Sequence, residues 1–199
     1  MTVPHIPVDV DLLRSEIRRT YTDVSTDQER EFIFPTGRSW AKELGYPEPA
    51  LSRVPDATVE SFAGVANHWL LGAIEPGSVV LDLGCGAGTD LLIAAQTAGR
   101  AIGVDMTPAM LEQAAASAAA MGLTNVELHE SLIETLPLED ASVDVVISNG
   151  VIDLVPDKDA VFAEIDRVLR PGGRLQLADV VIHTAVSEDA RERIDLWTG

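Results

Sequence analysis

The chain has 199 residues, 46% of them hydrophobic, and its formal net charge at pH 7 is −18. This length and apolar content predict one folded unit with a sizeable core and leave little room for two complete domains. The negative charge would repel nucleic-acid phosphates and anionic lipid surfaces, so we expect neither nucleic acid nor a membrane as a partner.

The N-terminal region shows helical spacing and no strand pattern. It begins MTVPHIPVDVDLL, which lacks the basic and apolar segments of a secretory signal, and no run in the chain is long enough to span a membrane. We therefore expect a cytoplasmic protein. Apolar residues at three- and four-residue steps from Val10 to Tyr21 predict an amphipathic helix over residues 8–24. A second, short helix is predicted through Trp40 and Leu44.

Two features divide the chain. The segment YPEPALSRVPD, residues 46–56, is punctuated by prolines and is predicted to be a connector. From residue 78 onward, strand-like runs of β-branched and apolar residues alternate with helix-like segments. We predict a helical N-terminal extension that serves as a lid over residues 1–56, and a core over residues 57–199.

The alternation predicts an α/β fold of the Rossmann-like type. In chain order, the strand-like runs are SVVLDLG, RAIGVDM, NVELHES, SVDVVISNG and GGRLQLADVVI, and the helix-like segments are TDLLIAAQTAG, TPAMLEQAAASAAAMG and KDAVFAEIDRVLR. Gly122 is the predicted stop of the second of these helices, and Pro171, Gly172 and Gly173 are the predicted stop of the third. Short strands joined by helices cross over right-handedly, so we predict a mostly parallel sheet with helices on both faces.

The turn after the first strand carries the main chemical signal, VLDLGCGAGTD. Gly84 can adopt a sharp turn, Gly86 lets a ligand approach the main chain, and Gly88 lets the next helix start close to the sheet. The N–H groups at that helix start suit an anionic group, such as the carboxylate of an amino-acid ligand. Asp82 can orient the turn or meet a cofactor ammonium.

A second signal is Asp105, which ends the second strand-like run, 21 residues after Gly84. A carboxylate there can accept hydrogen bonds from both hydroxyls of a ribose, with Met106 beside the adenine. A nicotinamide-dependent oxidoreductase would share the acidic residue, but its glycine pattern places the third glycine at the position of Thr89. The spelling G-x-G-x-G favours S-adenosylmethionine as the cofactor, with the oxidoreductase kept as an alternative.

Further candidates follow the third and fourth strands. Leu132 and Ile133 lie where such folds meet the adenine edge. Asn149 ends the fourth strand at the carboxyl edge of the sheet, where it either faces the site or forms a turn. The four histidines show no metal-ligand spacing, so no metal is predicted. His68 is the best-placed base, but a packing role is the simpler interpretation, and no catalytic residue is assigned.

These motifs resemble the arsenite methyltransferase branch of the class I S-adenosylmethionine-dependent methyltransferases. Beside the glycine turn, the resemblance depends on VESFAGVANHW, IGVDMTPAMLEQA, GLTNVELHES, IETLP and SVDVVISNGVIDLVPDKDAVFAEIDRVLRPGGRLQLADVV. It implies cofactor roles for the turn glycines, Asp105, Met106 and Ile133, and it implies that Tyr21 closes over the cofactor. Cys85, between two of the turn glycines, would pack against the sheet or the cofactor.

The chain departs from that family in its thiols and its length. Gly150 occupies the place of one family cysteine and Ala66 or a neighbour the place of another, so arsenite is not the expected substrate. We expect a different small-molecule methyl acceptor. The alternatives are a fragment of a true arsenite methyltransferase and a non-catalytic S-adenosylmethionine-binding or regulatory protein. The family's later strands are expected to be missing after the fifth, which would expose a sheet edge and permit a homodimer.

Overall fold

A five-stranded parallel sheet lies at the centre of the fold. The computed structural model describes residues 8–27, 32–183 and 197. The strands are β1 (Val79–Leu83), β2 (Arg100–Asp105), β3 (Val126–Glu130), β4 (Val143–Asn149) and β5 (Leu169–Ala178). They lie in the order β3-β2-β1-β4-β5, and every neighbouring pair is parallel. The parallel sheet predicted from the sequence is confirmed.

Helices cover both faces of this sheet. Between the strands run α5 (Thr89–Ala95), α6 (Pro108–Ala120) and α7 (Lys158–Val168). The chain moves outward from β1 to β3 and then returns to β4, so right-handed crossovers put α5 and α6 on one face and α7 on the other. Apolar side chains of β1, β2 and β4 therefore pack against helices on either side, which explains why most positions in these strands are apolar.

The N-terminal region is helical, as predicted. It contains α1 (Val10–Thr26), α2 (Gly37–Glu43), α3 (Glu48–Leu51), α4 (Asp56–Glu60) and a short 3₁₀ helix (His68–Leu71). Asp9 caps α1, because its carboxylate accepts hydrogen bonds from the N–H groups of Asp11 and Leu12 at 3.1 and 3.0 Å. Leu13, Ile17 and Val24 on the apolar face of α1 are buried.

The predicted connector over residues 46–56 is wrong in part, because it contains α3 and the first residue of α4. The prolines start these helices. Pro47 and Pro55 occupy the N-cap positions, and Pro49 lies in the first turn of α3. A proline fits there because its fixed φ suits a helix and its missing N–H has no partner in the first turn.

The bounds predicted for the last helix and strand are also wrong. The helix ends at Val168, and β5 begins at Leu169, before the Pro-Gly-Gly segment, with a register shift against β4 between Val143 and Val145. An edge strand tolerates a proline at such an irregularity, since one side of it makes no ladder hydrogen bonds. β5 then ends at Ala178, which pairs with the last residue of β4, and within the described residues the apolar segment up to Ile182 pairs with no strand.

Two further expectations concern regions that the structure describes only in part. The sequence predicts that the family's later strands are missing after β5. This prediction concerns the chain beyond residue 183, of which the structure describes Trp197 alone. Within residues 8–27 and 32–183, no helix has both the length and the apolar character needed to cross a membrane. The homodimer through the outer edge of β5 and the cytoplasmic location stay predictions.

Candidate functional site

A cavity opens at the carboxyl ends of β1, β2 and β4, where the strand order reverses direction. It contains about 1020 Å³ of empty space, part of it open to solvent. Nine of the ten cofactor residues proposed from the sequence line it: Asp82, Gly84, Cys85, Gly86, Asp105, Met106, Leu132, Ile133 and Asn149. The tenth, Gly88, does not belong to the lining. It caps α5, and a Cβ there would lie 3.1 Å from the Cβ of Ala114 on α6.

The glycine turn lies directly against the cavity. Gly84 has a φ of +63°, and a Cβ on it would lie 2.4 Å from Cγ2 of Val151, so the turn leaves no room for a side chain at this position. The Cys85 thiol is buried, and this burial raises the pKa of the thiol well above its ordinary value, with the charges of Asp105 and Asp82 adding to the effect. Cys85 is therefore a neutral packing residue rather than a reactive thiolate.

Asp105 ties the glycine turn to the end of β2. One carboxylate oxygen accepts a hydrogen bond from the Gly86 N–H at 2.9 Å, and the other accepts one from the Thr107 N–H at 2.8 Å. Burial raises the pKa of Asp105, and these hydrogen bonds oppose the rise. Asp105 also lines the cavity, so its carboxylate can accept hydrogen bonds from a ligand there.

The carboxyl group of Asp82 lines the cavity in a buried position. Its Oδ2 has no hydrogen-bond partner in the protein. Burial raises the pKa of Asp82 well above its ordinary value, and the nearby charges of Asp90 and Asp105 raise it further. A buried carboxylate with one unpartnered oxygen is costly unless a cation or a donor approaches that oxygen. This corner of the cavity is therefore suited to a positively charged ligand group.

An apolar wall and a helix close the opposite end of the cavity. Ile133 is buried there, next to Leu132 and Met106. Tyr21 of α1 also lines the cavity, and burial raises the pKa of its hydroxyl, with the charge of Asp153 as the next cause. The apolar side chains and the tyrosine ring form a surface on which a flat aromatic group could stack.

A second side chain of α1 reaches across the cavity mouth. Nη2 of Arg14 lies 3.0 Å from Oε1 of Glu134, and both residues line the cavity. Glu134 follows the apolar wall in the chain, so this ion pair connects α1 to that wall. Both side chains are only partly exposed, which makes the ion pair less screened by water than a surface pair.

A buried polar cluster around Asp90, which the sequence did not predict, lies beside the glycine turn, and Asp90 itself lines the cavity. Asp90 in the first turn of α5 accepts hydrogen bonds from the hydroxyl of Tyr46 at 2.9 Å and from Nε1 of Trp69 at 2.8 Å. His68 lies with Nε2 3.3 Å from Oδ2 of Asp90, is 2% exposed and does not line the cavity. The packing interpretation of His68 therefore agrees with the structure better than a role as base. These contacts join segments that are distant in sequence, so no local sequence pattern predicts them.

Asn149 lines the cavity, but its amide is engaged within the protein. Its Oδ1 accepts hydrogen bonds from the N–H groups of Val65 and Ala66 at 2.8 and 3.3 Å, and its Nδ2 donates to the hydroxyl of Tyr46 at 2.9 Å. Gly150, with a φ of +71°, follows it, and a Cβ there would lie 2.9 Å from Cγ1 of Val65. The segments around Gly150 and Ala66, where the resemblance placed the family's cysteines, therefore meet at one end of the cavity.

A family model described as a methyltransferase domain matches residues 74–198, which is more than half of the chain. The chain belongs to this methyltransferase family. Among the described residues, no three histidine, cysteine, aspartate or glutamate side chains group as metal ligands, and the absence of a metal stays a prediction.

Relatives of this methyltransferase include arsenite methyltransferases. It is 42% identical to the one from Halobacterium salinarum over 167 residues, which cover 82% of this chain and 42% of the relative. It is 39% identical to the one from Aquipseudomonas alcaligenes, over 64% of this chain and 41% of the relative. The solved structure of an arsenic(III) S-adenosylmethionine methyltransferase from Chlamydomonas reinhardtii matches 66% of this chain and 47% of its own, with 42% identity and a TM-score of 0.61.

The resemblance to class I, arsenite methyltransferase-like proteins that was stated from the sequence is confirmed by these matches. This chain spans less than half the length of the three relatives named above. The glycine turn, Asp105 and the apolar wall all fall inside the matched family region.

Proposed function

We propose that this chain is the methyl-transferring domain of an S-adenosylmethionine-dependent methyltransferase that acts on a small molecule. The observation that carries the proposal is the acidic corner of the cavity, where Oδ2 of Asp82 is buried without a partner and Asp90 and Asp105 lie nearby. S-adenosylmethionine carries an ammonium and a sulfonium, and such cations offset the cost of buried carboxylates. A nicotinamide dinucleotide would instead bring two phosphate charges to the same carboxylates.

The residues present fit the rest of this cofactor as well. The turn at Gly84 and Gly86 would hold the methionine part, with Asp82 on its ammonium. Asp105 would accept hydrogen bonds from the ribose hydroxyls, and Met106 and Ile133 would hold the adenine between apolar surfaces. When bound, S-adenosylmethionine supplies an electrophilic methyl group on its sulfonium.

We assign the role of a lid to the N-terminal extension, residues 1–56. Tyr21 lines the cavity from α1, and Arg14 on the same helix pairs with Glu134 beside the adenine wall. Both contacts connect α1 to the part of the cavity assigned to the nucleoside. A closed lid would exclude water from the sulfonium, which strengthens the electrostatic contacts inside.

The acceptor would bind at the end of the cavity formed by residues 62–64 and by Gly150 and Val151, which we call the acceptor end. Transfer from a sulfonium needs in-line geometry more than a base, so the walls of this end matter chiefly by positioning the acceptor. Cys85 is the single cysteine of the chain and is held as a neutral thiol. We therefore propose an acceptor that is not held by several protein thiolates, as arsenite would be.

A true arsenite methyltransferase remains the second candidate, because of the 42% identity to the Halobacterium salinarum enzyme. Calorimetry with S-adenosylmethionine, S-adenosylhomocysteine and NAD tests the cofactor, and binding of NAD alone would overturn the proposal. Turnover is then measured over a panel of thiols, amines and phenols, and with arsenite, each with and without added glutathione. If arsenite is methylated and no member of the panel is, the second candidate is favoured. Tight cofactor binding without any turnover favours a non-catalytic binding protein.

A further inference from the structure

The buried carboxylate of Asp90 has more partners than any helix start requires. Besides Tyr46 and Trp69, it accepts a hydrogen bond from Nδ2 of Asn149 at 3.3 Å, and His68 lies beside it. These partners come from the loop after α2, from the 3₁₀ helix and from the end of β4. Asp90 is only 7% exposed, so all these contacts are made away from bulk water. A charged group so placed holds its partners strongly, because breaking any contact leaves it poorly solvated.

The contacts continue from Asn149 to the wall of the cavity. Its amide oxygen takes the N–H groups of Val65 and Ala66, and its Nδ2 also donates to the carbonyl of Ala66 at 2.9 Å. The wall bends tightly around this side chain, since a Cβ on Gly64 would lie 2.4 Å from Nδ2 of Asn149. Asn149 thus fixes residues 64–66, next to the lining residues Phe62, Ala63 and Gly64.

We propose that Asp90 is a positioning residue that fixes the wall at residues 62–66 through Asn149 and Tyr46. Its role for the acceptor rests on the proposed function, in which this wall borders the acceptor end. The hydroxyl of Tyr46 donates to Asp90 and accepts from Asn149, so the three side chains hold one another in place. Without the carboxylate, Asn149 would lose its hydrogen bond to Asp90. Tyr46, its second partner, would lose the group that orients its hydroxyl.

The ionisation of Asp90 agrees with this role. Burial alone would raise its pKa, but the charge of His68 and the hydrogen bonds from Tyr46 and Trp69 outweigh burial, so the pKa lies below its ordinary value. The carboxylate is therefore ionised at neutral pH. Asp90→Asn keeps the shape of the side chain and removes this charge, which makes it the appropriate test variant.

Trp40 provides a direct reporter of the wall. Its Nε1 donates a hydrogen bond to the carbonyl of Gly64 at 2.7 Å, whereas Nε1 of Trp69 donates to Asp90 itself. The indole N–H resonances in a ¹⁵N correlation spectrum therefore report separately on the wall and on the carboxylate. Trp40→Phe and Trp69→Phe assign the two signals.

In Asp90→Asn we expect both indole resonances to move, and in Tyr46→Phe we expect a smaller movement of the Trp40 signal in the same direction. The matched control is Thr58→Val, which removes a buried hydrogen bond of 2.6 Å between Thr58 and Ser117 outside this cluster and should move neither signal. If the Trp40 signal stays in place in both test variants, or moves as far in the control, the positioning role is wrong.

Calorimetry with S-adenosylhomocysteine on the same proteins separates this proposal from the previous one. Failure of the unmodified protein to bind that ligand would overturn the cofactor assignment, while the movement of the Trp40 signal would still test the positioning role. Tyr46→Phe keeps the experiment decisive if Asp90→Asn does not fold, since it removes one hydroxyl and no charge.

Discussion

Replacing Gly84 by alanine tests whether the glycine turn is as crowded as its geometry indicates. A left-handed φ costs an alanine about 1–2 kcal/mol, of which about 0.4–1 kcal/mol is offset by the stiffer unfolded chain. The new Cβ would also lie 2.4 Å from Cγ2 and 2.8 Å from Cβ of Val151. Overpacking of this kind adds about 1–3 kcal/mol. We expect Gly84→Ala to lower the free energy of unfolding by about 2–4 kcal/mol.

Gly122 offers a matched control on the surface. Its φ is +68°, close to that of Gly84, but a Cβ there would have no atom within 4 Å. Gly122→Ala should therefore show the backbone cost alone, about 1 kcal/mol. In a chain of this size each kcal/mol lowers Tm by about 2–4 °C. Thermal unfolding should give a loss of about 3 °C for the control and about 6–12 °C for Gly84→Ala.

Two further measurements complete the test. Adding Val151→Ala to Gly84→Ala removes two of the three close contacts, and we expect it to recover part of the lost stability. Calorimetry with S-adenosylhomocysteine should show weaker binding in Gly84→Ala and unchanged binding in Gly122→Ala. Equal losses of Tm in the two single variants, together with unchanged binding in both, would refute the reasoning.

Three other predictions follow from the site. Asp105→Ala should weaken S-adenosylhomocysteine binding by about 1 to 3 kcal/mol through lost ribose hydrogen bonds, and unchanged affinity in calorimetry would remove the ribose role. The affinity for S-adenosylmethionine should rise as the pH rises through the raised pKa of Asp82, because the cofactor ammonium binds the ionised carboxylate and displaces its proton. Calorimetry in buffers of different ionisation enthalpy counts that proton, and no release at any pH would contradict the role. Gly150→Cys should lower the free energy of unfolding by about 2–4 kcal/mol, because Gly150 has a positive φ and a side chain there would crowd Val65. Denaturant unfolding measures this loss. An unfolding curve like that of the unmodified protein would show that the backbone there accepts a side chain.

The fold could be predicted where local pattern and burial agree. β1, β2 and β4 are buried on both faces, so most of their residues are apolar and their bounds were predicted within one or two residues. The errors fall at prolines. In α3 the proline begins a helix, and in β5 the Pro-Gly-Gly segment lies within an irregular edge strand. A proline excludes a helix interior or a central strand, but it does not by itself distinguish a loop from a helix start.

The site was predictable to the extent that it is local in sequence. Asp82 and Asp105 lie at or near the ends of adjacent strands, and the topology of a parallel sheet brings such residues together. Asp90 and Tyr46 are 44 residues apart, and no rule of spacing connects them. The one signal that could have drawn notice to Asp90 is a carboxylate in the first turn of a helix that continues with apolar residues. That signal also fits a simple dipole effect at a helix start.

The carboxylates around the cavity have a consequence for the order of events in a catalytic cycle. Transfer of a methyl group converts a sulfonium into an uncharged thioether, so the spent molecule has lost one positive charge. Coulomb attraction inside a cavity of low dielectric constant exceeds that in water, and the ionised acidic groups therefore retain the charged form more strongly. The same electrostatics that would hold the charged cofactor would therefore favour departure of the used molecule and its exchange for a fresh one.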